Sequence, residues 1–229
     1  MSLSDAPQID RPADPASQIA VPLPLLAEDQ ARADLYALLS RLLLAAPDAA
    51  LLEALAHADP ILAEGGDPAL EQAWEALGLA SGVMDPDAVS GEFDALFVSI
   101  GTPPVNPYGS RYLSGYMNDA PLAALRADLA RFGIGRVRGV GEFEDHLGAL
   151  CETMRVLVAG APGIRRQPVE RQQAFFEAHI APWYERCLAD IAAAEGANYY
   201  RLVAGLAGAF LAIEAQAFVV GEALADSTV

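Results

Sequence analysis

The sequence predicts an all-α protein, a single-domain helical bundle of about eight to ten helices over residues 26–229 behind a disordered tail over residues 1–25. Three observations carry that prediction. Apolar side chains recur at three- and four-residue steps through most of the chain, the spacing that gathers them on one helix face. No alternating, β-branched run bounded by turn residues marks a strand, and no segment repeats. Asp67-Pro68 and Asp85-Pro86 each have the form of an N-cap followed by proline at the first helical position.

The tail is rich in Pro, Asp, Ser and Ala and ends in the extended stretch Val21-Pro22-Leu23-Pro24. Leu35, Leu38, Leu39 and Leu42 then define the first helix, which Pro47-Asp48 ends. A short helix follows with Leu51, Leu52 and Leu55. The helix after Asp85 carries Val89, Phe93, Leu96 and Phe97 on one face and runs into residues 101–110, where three prolines and two glycines predict a rigid, irregular loop. Helical pattern resumes over residues 112–117 and 121–132. A glycine-rich link with Arg136 and Arg138 spans residues 133–141. A strong helix bears Phe143, Leu147, Leu150, Met154, Leu157 and Val158. After a loop over residues 159–167, Pro168 starts a helix with Phe175, Phe176, His179 and Ile180, which Pro182-Trp183 breaks. The last helix runs over residues 198–222 with Leu202, Leu206, Phe210 and Ile213 inward.

Composition narrows the function. Hydrophobic residues make up 53% of the 229 and charged residues 20%, which excludes global disorder. The 14 cationic residues are all Arg and face 31 acidic ones, for a formal charge of −17. A surface this acidic repels phosphate backbones, so no nucleic-acid partner is expected. The acidity is read first as serving solubility, and alternatively as attracting cationic peptides or proteins. Cys151 and Cys187 have no CxxC or Cys/His spacing, which points to a reducing compartment. The first 20 residues lack the basic and apolar regions of an export signal. The most apolar stretch, residues 202–213, is short beside the ~20 residues of a spanning helix, so it reads as core and no membrane segment is expected. The expected location is the cytoplasm.

Enzyme and cofactor chemistry find little support. There is no GxxxxGK[ST] or strand-anchored GxGxxG, and Gly133-Ile134-Gly135 reads as a linker. Of the three histidines, His57, His146 and His179, His146 has a carboxylate, Glu142, four residues away at helical spacing, and nothing supplies an obvious third ligand. Neither metal nor cofactor is expected. Ser110, Cys151 and Cys187 lie in no recognised nucleophile frame.

Two segments stand out. Around His146, Glu142, Glu144, Asp145 and Glu152 are read either as acids at the start of a helix, favoured by the macrodipole by ~0.3–1 kcal/mol each, or as an acidic, pH-sensitive rim for arginine-bearing peptides. The stripe Phe93, Leu96 and Phe97 is read either as core or as the floor of a groove shaped by the proline-stiffened loop. His179 and Trp183 read as packing at a helix–helix turn, and Tyr199, Tyr200 and Phe210 as core.

These residues resemble the TorD/DmsD family of redox-enzyme maturation chaperones, which also includes the NarJ-type proteins. The family's Glu-(Tyr/Phe)-x-x-Leu-Phe helix end reads here as Glu92-Phe93-Asp94-Ala95-Leu96-Phe97, and its Pro-(aromatic)-x-Ser-x-Tyr element as Pro107-Tyr108-Gly109-Ser110-Arg111-Tyr112. Its Glu-Pro-x-Asp-His-Leu element reads as Glu142-Phe143-Glu144-Asp145-His146-Leu147, with Phe143 for the usual Pro. Leu150 stands where the family commonly has Glu. The Phe-x-x-x-His-x-x-Pro-Trp element matches Phe175 to Trp183, and the likeness holds in order and spacing over residues 30–218.

The resemblance implies a cytoplasmic, non-enzymatic chaperone. It would bind the twin-arginine signal peptide and hold the apo form of a molybdenum-cofactor oxidoreductase subunit until its cofactor is inserted. A formate dehydrogenase is the favoured client. The implied peptide site has Phe93, Leu96 and Phe97 as floor, and Pro107, Tyr108, Ser110 and Tyr112 as wall. Asp145, with Glu142 or Glu144, would meet the peptide's cationic end, and His146 would supply a hydrogen bond. A monomer and a helix-swapped dimer are both compatible with it. The rivals are a NarJ-like chaperone whose client has no cleavable export signal, a small enzyme using Asp145 and His146 as an acid–base pair, and a structural subunit.

Overall fold

The structure, a computed structural model, describes residues 24–61, 68–98, 101–135 and 143–226. Among them are ten helices and no strand: α1 (Ala27–Leu44), α2 (Ala49–Ala56), α3 (Pro68–Val83), α4 (Pro86–Phe93), α5 (Gly109–Ser114), α6 (Ala120–Arg131), α7 (Leu147–Ala159), α8 (Val169–His179), α9 (Tyr184–Ala193) and α10 (Tyr199–Asp226). The all-α bundle predicted from the spacing of apolar residues is the fold observed. The tail over residues 1–23, the Asp67 cap and most of the 133–141 link lie outside the described residues.

Two helix contacts organise the core. The first joins α1 to α7, and its closeness comes from Gly148: a Cβ there would stand 2.8 Å from Leu44 Cγ and 3.2 Å from the Ser40 carbonyl oxygen. The second sets α10 across α9 and α3, with further contacts to α1, α4 and α8. Tyr199 to Val220 is long and apolar enough to cross a membrane by length and composition, with a mean hydropathy of 1.8. The sequence reading, which ended the apolar stretch at Ile213, understated it. Tyr200, Val203, Leu206, Phe210 and Leu211 are nonetheless buried within the bundle, as in a core helix.

One charged pair crosses this core. Arg32 Nε and Nη2 donate to Glu214 Oε1 and Oε2 at 2.7 and 2.8 Å, and the buried Tyr36 hydroxyl donates to Glu214 Oε2 at 3.0 Å. Desolvation works against the Arg32 charge, but the hydrogen bond and attraction to Glu214 outweigh it and hold its pKa above the usual value. The pair ties α1 to α10 and satisfies a carboxylate that burial would otherwise penalise heavily.

Helix boundaries follow local chemistry. Asp48 accepts from Leu51 N–H at the start of α2, and Asp85 from Asp87 and Ala88 N–H at the start of α4. Three boundaries differ from the sequence reading. The stripe after Asp85 does not stay α-helical: α4 widens at Asp94–Val98 into a π-helical turn, which keeps Leu96 in the core. α5 begins at Gly109, within the stretch expected to be loop. α7 begins at Leu147, so Phe143, Glu144 and Asp145 precede the helix and do not form its first turn. His146 is the N-cap of α7, and the reading that set Glu142 on one helix face with it falls partly outside the described residues.

Candidate functional site

Two segments 35 residues apart meet where the 101–108 loop enters α5 and where residues 143–146 enter α7. Gly109 N–H donates to the Asp145 carbonyl at 2.9 Å, and Leu147 N–H donates to the Pro107 carbonyl at 2.8 Å. They form one antiparallel bridge between Tyr108 and His146. The Asp145 side chain completes the clasp. Its Oδ2 accepts from Ser110 N–H at 2.8 Å and from the Ser110 hydroxyl at 2.5 Å. Both residues are buried, so these charge-assisted bonds act in a low dielectric and fix the carboxylate's orientation.

His146 caps α7. Its Nδ1 accepts from Gly148 N–H at 3.0 Å, an assignment that leaves the ring proton on Nε2. The Tyr108 ring meets the His146 ring edge-on at 4.9 Å and that of Phe143 at 6.3 Å. Glu144 takes a forked ion pair from Arg126 of α6, with Nη2 to Oε2 at 2.8 Å. Glu142 lies outside the described residues.

Beside the clasp a cavity of about 360 Å³ opens between α5, α6 and α8. Leu113, Leu125 and Leu150 give it apolar walls, and Asp145 and the pair Asp128–His179 add polar ones. His179 Nε2 lies 2.8 Å from Asp128 Oδ2, and Arg131 engages the other oxygen of Asp128. Asp145 is 3% exposed, and its Oδ1 is the one buried side-chain oxygen or nitrogen among the described residues with no hydrogen-bond partner. An unmet buried acceptor costs about 1–3 kcal/mol, more when charged, so this oxygen is a standing demand for a donor.

Tyr112 faces the other way. Its ring stacks on Trp183 at 5.3 Å, its hydroxyl donates to Asp190 Oδ2 at 2.8 Å, and Arg186 lies over it at 5.8 Å. Burial and the neighbouring Cys187 and Asp190 push its pKa well above the usual value. Trp183 also packs on Gly109, where a Cβ would come within 3.2 Å of the indole nitrogen. The Pro-Trp element thus fastens the start of α5 to α9, a positioning role beyond plain packing.

The remaining expected site residues form a separate group. Phe93 and Phe97 lie 5.2 Å apart, and both pack on Tyr200 of α10, at 5.6 and 5.2 Å. Leu96 is buried, and its carbonyl accepts from Val105 N–H at 3.2 Å, which leads the chain into the loop. Glu92 accepts from the N–H groups of Asn198, Tyr199 and Tyr200 at 2.7–3.1 Å, so an acid from α4 supplies the N-terminal cap of α10. The structure therefore brings Pro107, Tyr108, Ser110, Asp145 and His146 into one clasp, with Glu144 paired beside it. It sets Tyr112 against α9, and Phe93 and Phe97 against α10. Asp128 and Glu92 were missed by the sequence reading. Glu92 was visible only as part of a motif, and nothing in the sequence marked Asp128.

No group of three or more His, Cys, Asp or Glu among the described residues could hold a metal ion. An all-helical assembly chaperone is the class that this bundle and its likeness to known families define. The chain matches the nitrate reductase delta subunit family over residues 63–189, more than half of its length, and belongs to that family of NarJ/TorD-type molybdoenzyme assembly chaperones. The match runs from before α3 into α9 and contains the whole clasp. Among curated proteins nothing matches the chain.

Proposed function

We propose that this chain is a cytoplasmic, non-catalytic chaperone that binds the twin-arginine signal peptide of a molybdenum-cofactor oxidoreductase and holds the apo-enzyme for cofactor insertion. A formate dehydrogenase is the favoured client. The observation that carries the reading is the buried Asp145 carboxylate, held by Ser110 with one oxygen unmet, at the edge of an apolar-walled cavity. A signal peptide offers the complement, an apolar stretch beside arginines. Burying ~400 Å² of its apolar surface yields roughly 10 kcal/mol gross at about 25 cal/mol/Å². Lost rigid-body freedom and ordering cost at least ~4 kcal/mol. The remainder corresponds to about tens of micromolar, weak enough to release the client.

Calorimetric titration with synthetic twin-arginine signal peptides from candidate molybdoenzymes, beside versions with both arginines replaced by glutamine, tests the reading. Binding to one peptide at about tens of micromolar, weakened in its glutamine version, is the expected result. The description of the matched family favours a second reading, a NarJ-like mode in which the client has no cleavable export signal. Under that reading no signal peptide binds, and a full-length client subunit does.

A further inference from the structure

We propose that the cavity between the end of α6 and the start of α8 seats a carboxylate side chain of a partner polypeptide, an aspartate or glutamate flanked by apolar residues. The family's role in assembly supplies a polypeptide partner, and the inference stands whether or not a signal peptide binds. The cavity has a volume of about 370 Å³ and shares Asp128 with the one beside the clasp. Its charge is the reverse of its surroundings. On a chain with a formal charge of −17, the cavity beside the clasp is lined by Asp128 and Asp145, and the one between α2 and α3 by Glu71 and Glu75. Here two arginines, Arg131 from α6 and Arg171 from α8, stand against the single acid Asp128.

That acid is already engaged, since Arg131 and His179 each take one of its oxygens. Arg171 has no such partner. Its Nη1 donates to the neutral side-chain carbonyl of Gln167 at 3.0 Å, and it forms no ion pair among the described residues. The cavity is therefore left with one uncompensated positive charge. A carboxylate arriving at Arg171 exchanges a neutral hydrogen bond for a charge-assisted one, which is roughly twice as strong. The planar fork of a guanidinium suits a carboxylate, and Arg131, exposed beside it, has donors beyond the one given to Asp128. The rest of the lining is apolar. Half-buried Phe132 meets buried Phe175 edge-on at 6.2 Å, and the small Ala174 lies beside them. Apolar neighbours of the incoming acid cover these rings. At longer range the charge of −17 repels an acid, so contact must hold it and non-specific attraction cannot imitate it.

The blocked tripeptide N-acetyl-Leu-Glu-Phe-amide and its glutamine counterpart, titrated into the isotope-labelled full chain and followed by NMR, test the proposal. The glutamate peptide should shift the amides of Arg131, Phe132, Arg171 and Phe175 saturably, and the glutamine peptide should bind at least about fivefold more weakly. Arg171→Gln removes the uncompensated charge, and Ala174→Glu sets a competing acid three residues along the same helix. Both positions are exposed, so the fold survives either change, which circular dichroism checks. Each variant should bring the glutamate peptide down to the affinity of the glutamine one and leave the latter unchanged. Equal affinity for the two peptides, or a glutamate peptide indifferent to Arg171→Gln, overturns the proposal. So does the absence of any shift at these amides. Saturable binding of phenylacetate there, with neither peptide binding, overturns it in favour of a free small acid.

Discussion

The bond between Ser110 and Asp145 bears on stability. Ser110→Ala removes one of two donors from a buried carboxylate, and the expected cost is about 1–3 kcal/mol, measured as a lower urea midpoint with unchanged m-value. The cysteines give a second residue-scale prediction. Burial pushes both thiols up to about 12, from an ordinary value of 9.0. The native protein at pH 8 should therefore leave both unreactive toward a thiolate-directed disulfide reagent until it unfolds. The same shifts set a sign. Unfolded thiols lose their protons near 9 while native ones keep theirs, so the unfolded state binds fewer protons and stability falls as pH rises from about 9 to 12. Chemical denaturation at pH 8 and pH 10.5 checks this, and equal midpoints would contradict it.

Among the elements, α10 depends on a cap from another helix. Glu92→Ala strips three N–H groups of their acceptor and should cost about 1–2 kcal/mol. Gly148→Ala at the contact of α1 and α7 should cost about 1–3 kcal/mol, because its Cβ would collide with Leu44 and Leu43 on a helix that other contacts hold in place. Thermal denaturation of each variant measures both. Most helices were legible from the spacing of leucines and from Asp-Pro starts, since those signals are local. The starts of α5 and α7 were not. Gly109, Ser110 and Asp145 take their conformations from partners 35 residues away, and proline and glycine content marks a loop without saying what it docks to. The π-helical turn also escaped, because a single widened turn leaves the apolar period almost intact.

For the molecule as a whole, the fold was readable and the site only in part. The sequence singled out the two segments that meet in the clasp, but it assigned Asp145 to the surface, because a lone acid in an acidic segment carries no mark of burial. Charge acts at this scale too. A formal −17 attracts a cationic peptide at distances beyond contact, so the association rate of a twin-arginine peptide should fall by roughly tenfold between 10 and 150 mM salt, while dissociation changes less. Stopped-flow fluorescence separates the two rates.

The clip that Glu92 places on α10 has a consequence in time. Phe93 and Phe97 flank Tyr200 on the same helix that supplies this carboxylate, so a ligand that displaces either ring draws Glu92 with it. The amides of residues 198–200, now hydrogen-bonded, would then exchange with solvent deuterium. Deuterium uptake at that helix end is therefore a remote reporter of events at the aromatic trio, readable without a label on either partner. A ligand seated only in the cavity by Asp145 would leave it silent.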